Sequence, residues 1–224
     1  MKKLFAPVKD LVLELDPSGD VTQWFGENHE LYFTNFGLQG HNGIDIVRPW
    51  GSPLLAIEDA EVLEVKYDAG GFGKHVRILG KNKNVNGYYN EWTYGHCSSI
   101  NVRVGDKVVA GQEIAKMGNT GFVVTNKTPY WATNPYGGTH VHFGLRQMIK
   151  PASGGWTYPE SRVRVDVIDY NNGYKGAIDP VPFIKALALT EKVPSAVPVA
   201  KQVESLQLQV IEALKSLYAV LTKK

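Results

Sequence analysis

Between Gly138 and Gly144, the run Thr139-His140-Val141-His142-Phe143 alternates polar and apolar residues with period two. Such a run forms a β-strand, because successive side chains point to opposite faces. Val141 and Phe143 then share one face, and His140 and His142 share the other. Two imidazoles on one face are costly to bury without partners. They are placed to meet one metal ion, or an ion and the water beside it. Partners are available at His41-Asn42-Gly43-Ile44-Asp45. Zinc in hydrolytic enzymes takes three protein ligands from His, Asp or Glu and leaves a fourth position for water. His41, Asp45 and either His140 or His142 meet that count. One anionic and two neutral ligands leave the metal enough charge to lower the pKa of its water toward about 7.

The remainder of the chain is punctuated by turns. It has 23 glycines and 12 prolines in 224 residues, with few long helical patterns. Alternating runs are predicted at 11–15, 21–26, 44–47, 53–57, 60–67 and 74–79, then at 91–96. Strands at this spacing imply a mainly β fold, an antiparallel β core built as an open barrel or sandwich. Residues 27–40 read as a polar and aromatic loop leading to His41, and residues 102–118 as a β-hammerhead. Residues 146–176 are turn-rich, and Ala177-Ile178-Asp179-Pro180-Val181-Pro182-Phe183 closes the core. The organisation expected is an N-terminal leader over 1–20, a catalytic domain over 21–190, a linker with Pro194 and Pro198 over 191–200, and an amphipathic helix over 201–224. In that last segment Val203, Leu206, Val210, Ala213, Leu217 and Val220 recur at three- and four-residue steps, a seam for docking or self-association.

Composition excludes several classes. A net charge of +2 gives no electrostatic case for nucleic acid. No run is apolar enough to span a bilayer. Met1-Lys2-Lys3 opens like a secretion signal, but Lys9, Asp10, Glu14 and Asp16 interrupt any apolar stretch, so synthesis in the cytoplasm without a signal peptide is expected. The single cysteine, Cys97, leaves no intramolecular disulfide and is expected to point into the core.

Taken in order, His41-x-x-x-Asp45, Tyr94-Gly95-His96 and His140-x-His142 resemble the three motifs of the lysostaphin-type zinc peptidases, which cut peptides of bacterial cell walls. The likeness runs from about Thr22 to about Phe183, with the Gly70-Gly71-Phe72-Gly73 turn, the hammerhead and the Ile-Asp-Pro ending in their places. It implies that family's small antiparallel β core, a duplicated hybrid motif with an open groove for an extended peptide. It also implies one zinc ion held by His41, Asp45 and His142. His140 and His96 then take the catalytic positions, His140 as general base and His96 as a hydrogen-bond partner of the water or the developing oxyanion. Three departures stand out. The interval from Gly121 to His140 is long and adds Tyr130, Trp131 and Tyr136; Thr139 replaces the usual proline; Cys97 replaces the usual leucine. The stretch Asn171–Gly176 is similar to phage-borne members, which suggests an enzyme released by a phage or carried on its virion and acting at the bacterial wall.

Two competing functions follow from the same residues. A metal-free relative that activates another wall hydrolase is one, although such relatives lose ligands. A biotinyl- or lipoyl-type carrier is the other, since Val104–Val108 and Gly111–Ile114 resemble its hammerheads; its modified lysine would have to be Lys116. His75 reads as an ordinary strand histidine, and His29 as a loop residue near the first motif.

Overall fold

A computed structural model of the chain describes residues 6–13, 19–84, 86–125, 128–158 and 160–190. The linker and the amphipathic helix expected over 191–224 lie outside the described residues, as does the side chain of Trp131. Residues Lys3–Ala188 form one compact unit.

The fold is mainly β, and among the described residues the strand pairs are all antiparallel. Its main sheet is built from β1 (Val21–Gln23), β2 (Ile44–Ile46), β3 (Ala60–Asp68), β4 (Gly73–Lys83), β5 (Tyr89–Tyr94), β6 (Lys107–Val108) and β7 (Val141–Ile149), in the order β1-β2-β7-β5-β4-β3-β6. A second, three-stranded sheet comprises Pro53–Leu55, Glu113–Lys116 and Ser99–Ile100. The core lies where the apolar faces of the two sheets meet: Ile44, Ile46, Trp92, Tyr94, Val141 and Phe143 from one, Leu54, Ile114 and Ala115 from the other. Phe143 stacks on Trp92 at 5.2 Å and meets Tyr94 edge-on at 5.1 Å. The Tyr94 hydroxyl is buried yet satisfied, donating to the Leu55 carbonyl and accepting from the Ile57 N–H, which ties the sheets together. Val8 is buried in this core as well.

The strand β7 is central. Along one edge it pairs with β5 from Phe143 to Met148. Along the other it meets β2, then Ala177–Ile178, then Arg164–Val167. Register matters here: Val141 lies opposite Ile46, His142 opposite Asp45, and Phe143 opposite Ile44. The face away from the core therefore carries His142 and Asp45 as cross-strand neighbours. Further along the same face, buried Glu91 holds Arg77 at 2.9 Å and Arg146 at 2.7 Å, and accepts from the Tyr158 hydroxyl.

Three segments differ from the sequence reading. Residues 27–40 contain a helix, α1 (His29–Phe36), ended by Gly37 in the left-handed region with its N–H on the Phe33 carbonyl. Residues 146–176 are more ordered than expected, because β7 continues to Ile149 and a hairpin of Trp156–Thr157 and Arg164–Val167 extends the sheet. The closing segment starts a second helix, α2 (Val181–Thr190), whose Val181 and Ile184 seal the core.

Candidate metal centre

The three ligand candidates come from two pieces of backbone fixed by one pairing. Asp45 and His142 face each other across β2 and β7. His41 lies just before β2, its backbone held by an N–H on the Glu27 carbonyl. Three donor atoms converge. His41 Nε2 lies 2.8 Å from His142 Nδ1, while Asp45 Oδ1 is 3.2 Å from the first and 3.4 Å from the second. Donor atoms held at about 2.0–2.1 Å by a tetrahedral cation are separated by about 3.3 Å. The observed edges bracket that value.

Proton positions sharpen the point. His41 Nδ1 faces the Trp24 carbonyl at 3.2 Å, so it carries the proton and leaves Nε2 with a lone pair. Burial lowers the His142 pKa to about 4, despite the attraction of Asp45, so this ring is neutral. Asp45 Oδ1 is buried and accepts no hydrogen bond among the described residues. The neighbouring ring nitrogens are close to it without the alignment of a donor. Burial raises the Asp45 carboxyl, but His140 and His41 outweigh this and hold it well below the carboxylate range. A buried carboxylate oxygen and an imidazole lone pair facing one site repel each other unless a cation lies between them. The donor set therefore fits zinc: two imidazoles and one carboxylate, all buried.

His96 and His140 flank this cluster, their rings 4.6 Å apart. The two rings have the same tautomer. His96 Nδ1 donates to the Thr120 carbonyl at 2.7 Å, and His140 Nδ1 donates to the Gly138 carbonyl at 2.7 Å. Each is left with an Nε2 lone pair, and His140 Nε2 lies 3.7 Å from Asp45 Oδ2. Burial first, then the neighbouring His140, keeps the His96 pKa well below its usual value. His96 sits at φ 60° just beyond β5, in a region that non-glycine residues seldom occupy. Its N–H donates to the Phe72 carbonyl, and the flanking Gly95 and Cys97 N–H groups bind His142 and Lys74 carbonyls. Those bonds hold the unusual backbone and aim the ring at the cluster.

A groove of about 580 Å³ runs past the cluster, lined by Tyr32, Phe36, Asp45, Phe72, Phe122 and His140, among others. Phe36 meets Phe122 edge-on at 5.2 Å. Tyr32 is the site residue that sequence reading missed. Its ring stacks on His41 at 5.1 Å, and burial, helped by the Asp45 charge, raises its phenol pKa. The helix that places it was read as loop, so nothing marked it apart from other loop aromatics. His29 stacks on Phe33 and is absent from the groove lining. His75 is a buried strand residue bonded to Glu64 at 3.0 Å. Cys97 is fully buried, and burial pushes its thiol up to about 12, as a small core residue requires. Lys116 lies within the strand Glu113–Lys116 and pairs with Glu113 at 3.3 Å, not at a hairpin tip as a carrier lysine must. Thr139 donates to the Tyr136 carbonyl and touches no ligand candidate through that bond.

Residues 39–153, about half of the chain, match the model of peptidase family M23. The chain belongs to peptidase family M23. Family M23 relatives include the glycyl-glycine endopeptidase ALE-1 of Staphylococcus capitis, 35% identical over 88 residues (38% of this chain, 23% of that protein). Another is lysostaphin of Staphylococcus simulans, 34% identical over 152 residues (67% of this chain, 23% of that protein). The chain thus spans about a quarter of the length of these curated relatives. Among solved structures, that of LytU is 27% identical with a TM-score of 0.48, covering 79% of this chain and 92% of that one. Family M23 peptidases are zinc enzymes, in keeping with the His41, Asp45 and His142 group. Among the described residues, no helix is long and apolar enough to cross a membrane.

Proposed function

We propose that this chain is a zinc-dependent endopeptidase that hydrolyses peptide bonds in bacterial peptidoglycan, acting at the cell wall through a catalytic domain over residues 21–190. The observation that carries the proposal is the convergence of His41 Nε2, Asp45 Oδ1 and His142 Nδ1 at tetrahedral-edge distances, with two further imidazoles beside them. These three residues hold the ion, which when bound supplies a Lewis acid for the water and the scissile carbonyl.

The protein's own residues do the rest. An extended peptide lies in the groove, whose lining includes Phe36, Phe122 and His140. His140 Nε2 takes the proton of the attacking water, since its Nδ1 proton is committed to the Gly138 carbonyl. His140 then returns that proton to the leaving amine. His96 Nε2 accepts a hydrogen bond from the same water and fixes its direction of approach, its tautomer set by the Thr120 carbonyl. The Tyr32 hydroxyl, kept protonated by burial and 3.4 Å from Gln23 Oε1, becomes a donor for the oxygen on which charge develops when it turns from Gln23. Phe72, Phe36 and Phe122, each partly buried, give the groove beside the cluster an apolar lining for the peptide.

Purified protein is expected to contain close to one zinc per chain and to lyse walls in a reaction that a chelator abolishes and added zinc restores. Metal-replete protein that leaves every tested peptidoglycan intact would sink the proposal. Glycyl-glycine bridges, named for one relative, are the first bond to test. Digestion of walls of two chemotypes, with sequencing of the fragments, separates them from D-alanyl–diaminopimelate bonds. A metal-free regulatory role is disfavoured, because all five residues of the cluster are present and converge.

A further inference from the structure

Beyond the groove, the surface carries two large exposed rings that no part of the proposed chemistry uses. Trp50 is 40% exposed and Tyr136 is 61% exposed, and their rings meet edge-on at 5.4 Å. Both stand on pinned turns. Trp50 lies in a turn closed by the Ser52 N–H on the Pro49 carbonyl; the Gly51 N–H binds the Met117 carbonyl, and the Met117 N–H binds the Ser52 carbonyl. Tyr136 lies in a turn whose Gly137 N–H binds the Asn134 carbonyl, and its own N–H binds Asn134 Oδ1. Buried Asn119 holds that turn from beneath, donating to the Pro135 and Gly137 carbonyls at 3.1 and 2.7 Å. Rings exposed on a rigid base lose little entropy when something stacks on them. The pair is tied to the groove through Thr139, which lines it and whose hydroxyl donates to the Tyr136 carbonyl at 2.6 Å.

We infer that Trp50 and Tyr136 form an open aromatic step at the end of the groove on which the glycan strand of the wall polymer lies. This rests on the peptidoglycan reading above. The occupant follows from the geometry. An apolar side chain would be served by an enclosed pocket, whereas these rings cover one side of a ligand and leave the other in water. A pyranose ring needs that: its C–H face stacks on an aromatic ring and its hydroxyls stay solvated. A chain of sugars is also the one non-peptide part attached to the proposed substrate.

The test uses peptide-free glycan strands, which hold no bond that a peptidase can cut, and the full chain as purified. Titration calorimetry is expected to show binding by the wild type, weakened at least ten-fold in Trp50→Ala and in Tyr136→Ala, and kept in Trp50→Phe and Tyr136→Phe. In cleavage assays the alanine variants are expected to raise KM for disaccharide-linked peptides and to leave the free peptide unaffected. Wild-type protein that does not bind glycan overturns the inference, as does unchanged binding in both alanine variants. So does an equal loss on free and glycan-linked peptide, or a dimer that Trp50→Ala dissociates. Failure of the peptidase proposal would show separately, in zinc content and free-peptide cleavage.

Discussion

Gly43 sits between His41 and Asp45 for a reason that the backbone makes plain. A β-carbon there would lie 2.7 Å from both Cε1 and Nε2 of the His142 ring and 2.7 Å from the Phe143 carbonyl. No side chain fits without pushing that imidazole off its place. Gly43→Ala is therefore expected to weaken zinc binding at least ten-fold, read by competition with a chelating dye. Ligand and acid–base roles separate in the same way. Asp45→Asn should give protein that retains little zinc. His140→Gln should retain its zinc and lose about 10²–10⁴-fold in kcat, the range set by loss of a positioned general base. Zinc loss in the second variant would move His140 from base to ligand.

The elements of the fold were unequally legible from sequence. Strands β3, β4 and β7 alternate over much of their length because one face of each meets the main core, although Leu63, Leu79 and Met148 on the other face join a second buried cluster with Tyr158 and Val165. The His140/His142 half of the candidate site could be read for the same reason, as its spacing needs only a strand; His41 lies just before β2 and could be read only from the motif it forms with Asp45. The helix α1 could not. None of its residues is buried, its N-cap Asn28 makes no side-chain cap bond, and its contacts are aromatic side chains packed on one another. Only Gly37 at its end was a signal, and glycine marks turns as readily. Pairing of the 146–176 segment depends on β7, a long-range partner that local pattern does not reveal. The turn that carries Tyr136 depends on a single buried side chain. Asn119→Ala strips the bonds to the Pro135 and Gly137 carbonyls and should cost about 1–2 kcal/mol in chemical denaturation. Its zinc content should remain at the wild-type level, since Asn119 makes no bond to the cluster.

Across the whole molecule, charge is buried in two linked sets on the sheet face that carries the site. Glu64 bonds to His75 at 3.0 Å and Arg77 at 3.1 Å, and Arg77 bonds in turn to Glu91. Burial alone would raise the Glu64 carboxyl, but His75 and Arg77 lower it to about 2 from 4.5. A depressed carboxyl stabilises the folded state above its unfolded pKa, and that contribution is lost as pH falls from about 4.5 toward 2. Unfolding free energies of the wild type and Glu64→Gln should therefore converge on acidification across that window, from a gap on the order of 2 kcal/mol near neutrality. A constant gap would show that the carboxylate does not contribute in this way. Arg146→Met should be costlier, on the order of 3 kcal/mol, because it strips a guanidinium from a fully buried carboxylate.

Asp45 and His142 are anchored in paired strands, whereas the turn bearing Tyr136 is held by its own bonds, by Asn119 and by the Thr139 hydroxyl on the Tyr136 carbonyl. Exchanging the turn 134–137 for the corresponding turn of another family member thus amounts to changing the bit on a drill: the part that meets the work differs, and the paired strands behind it stay as they were.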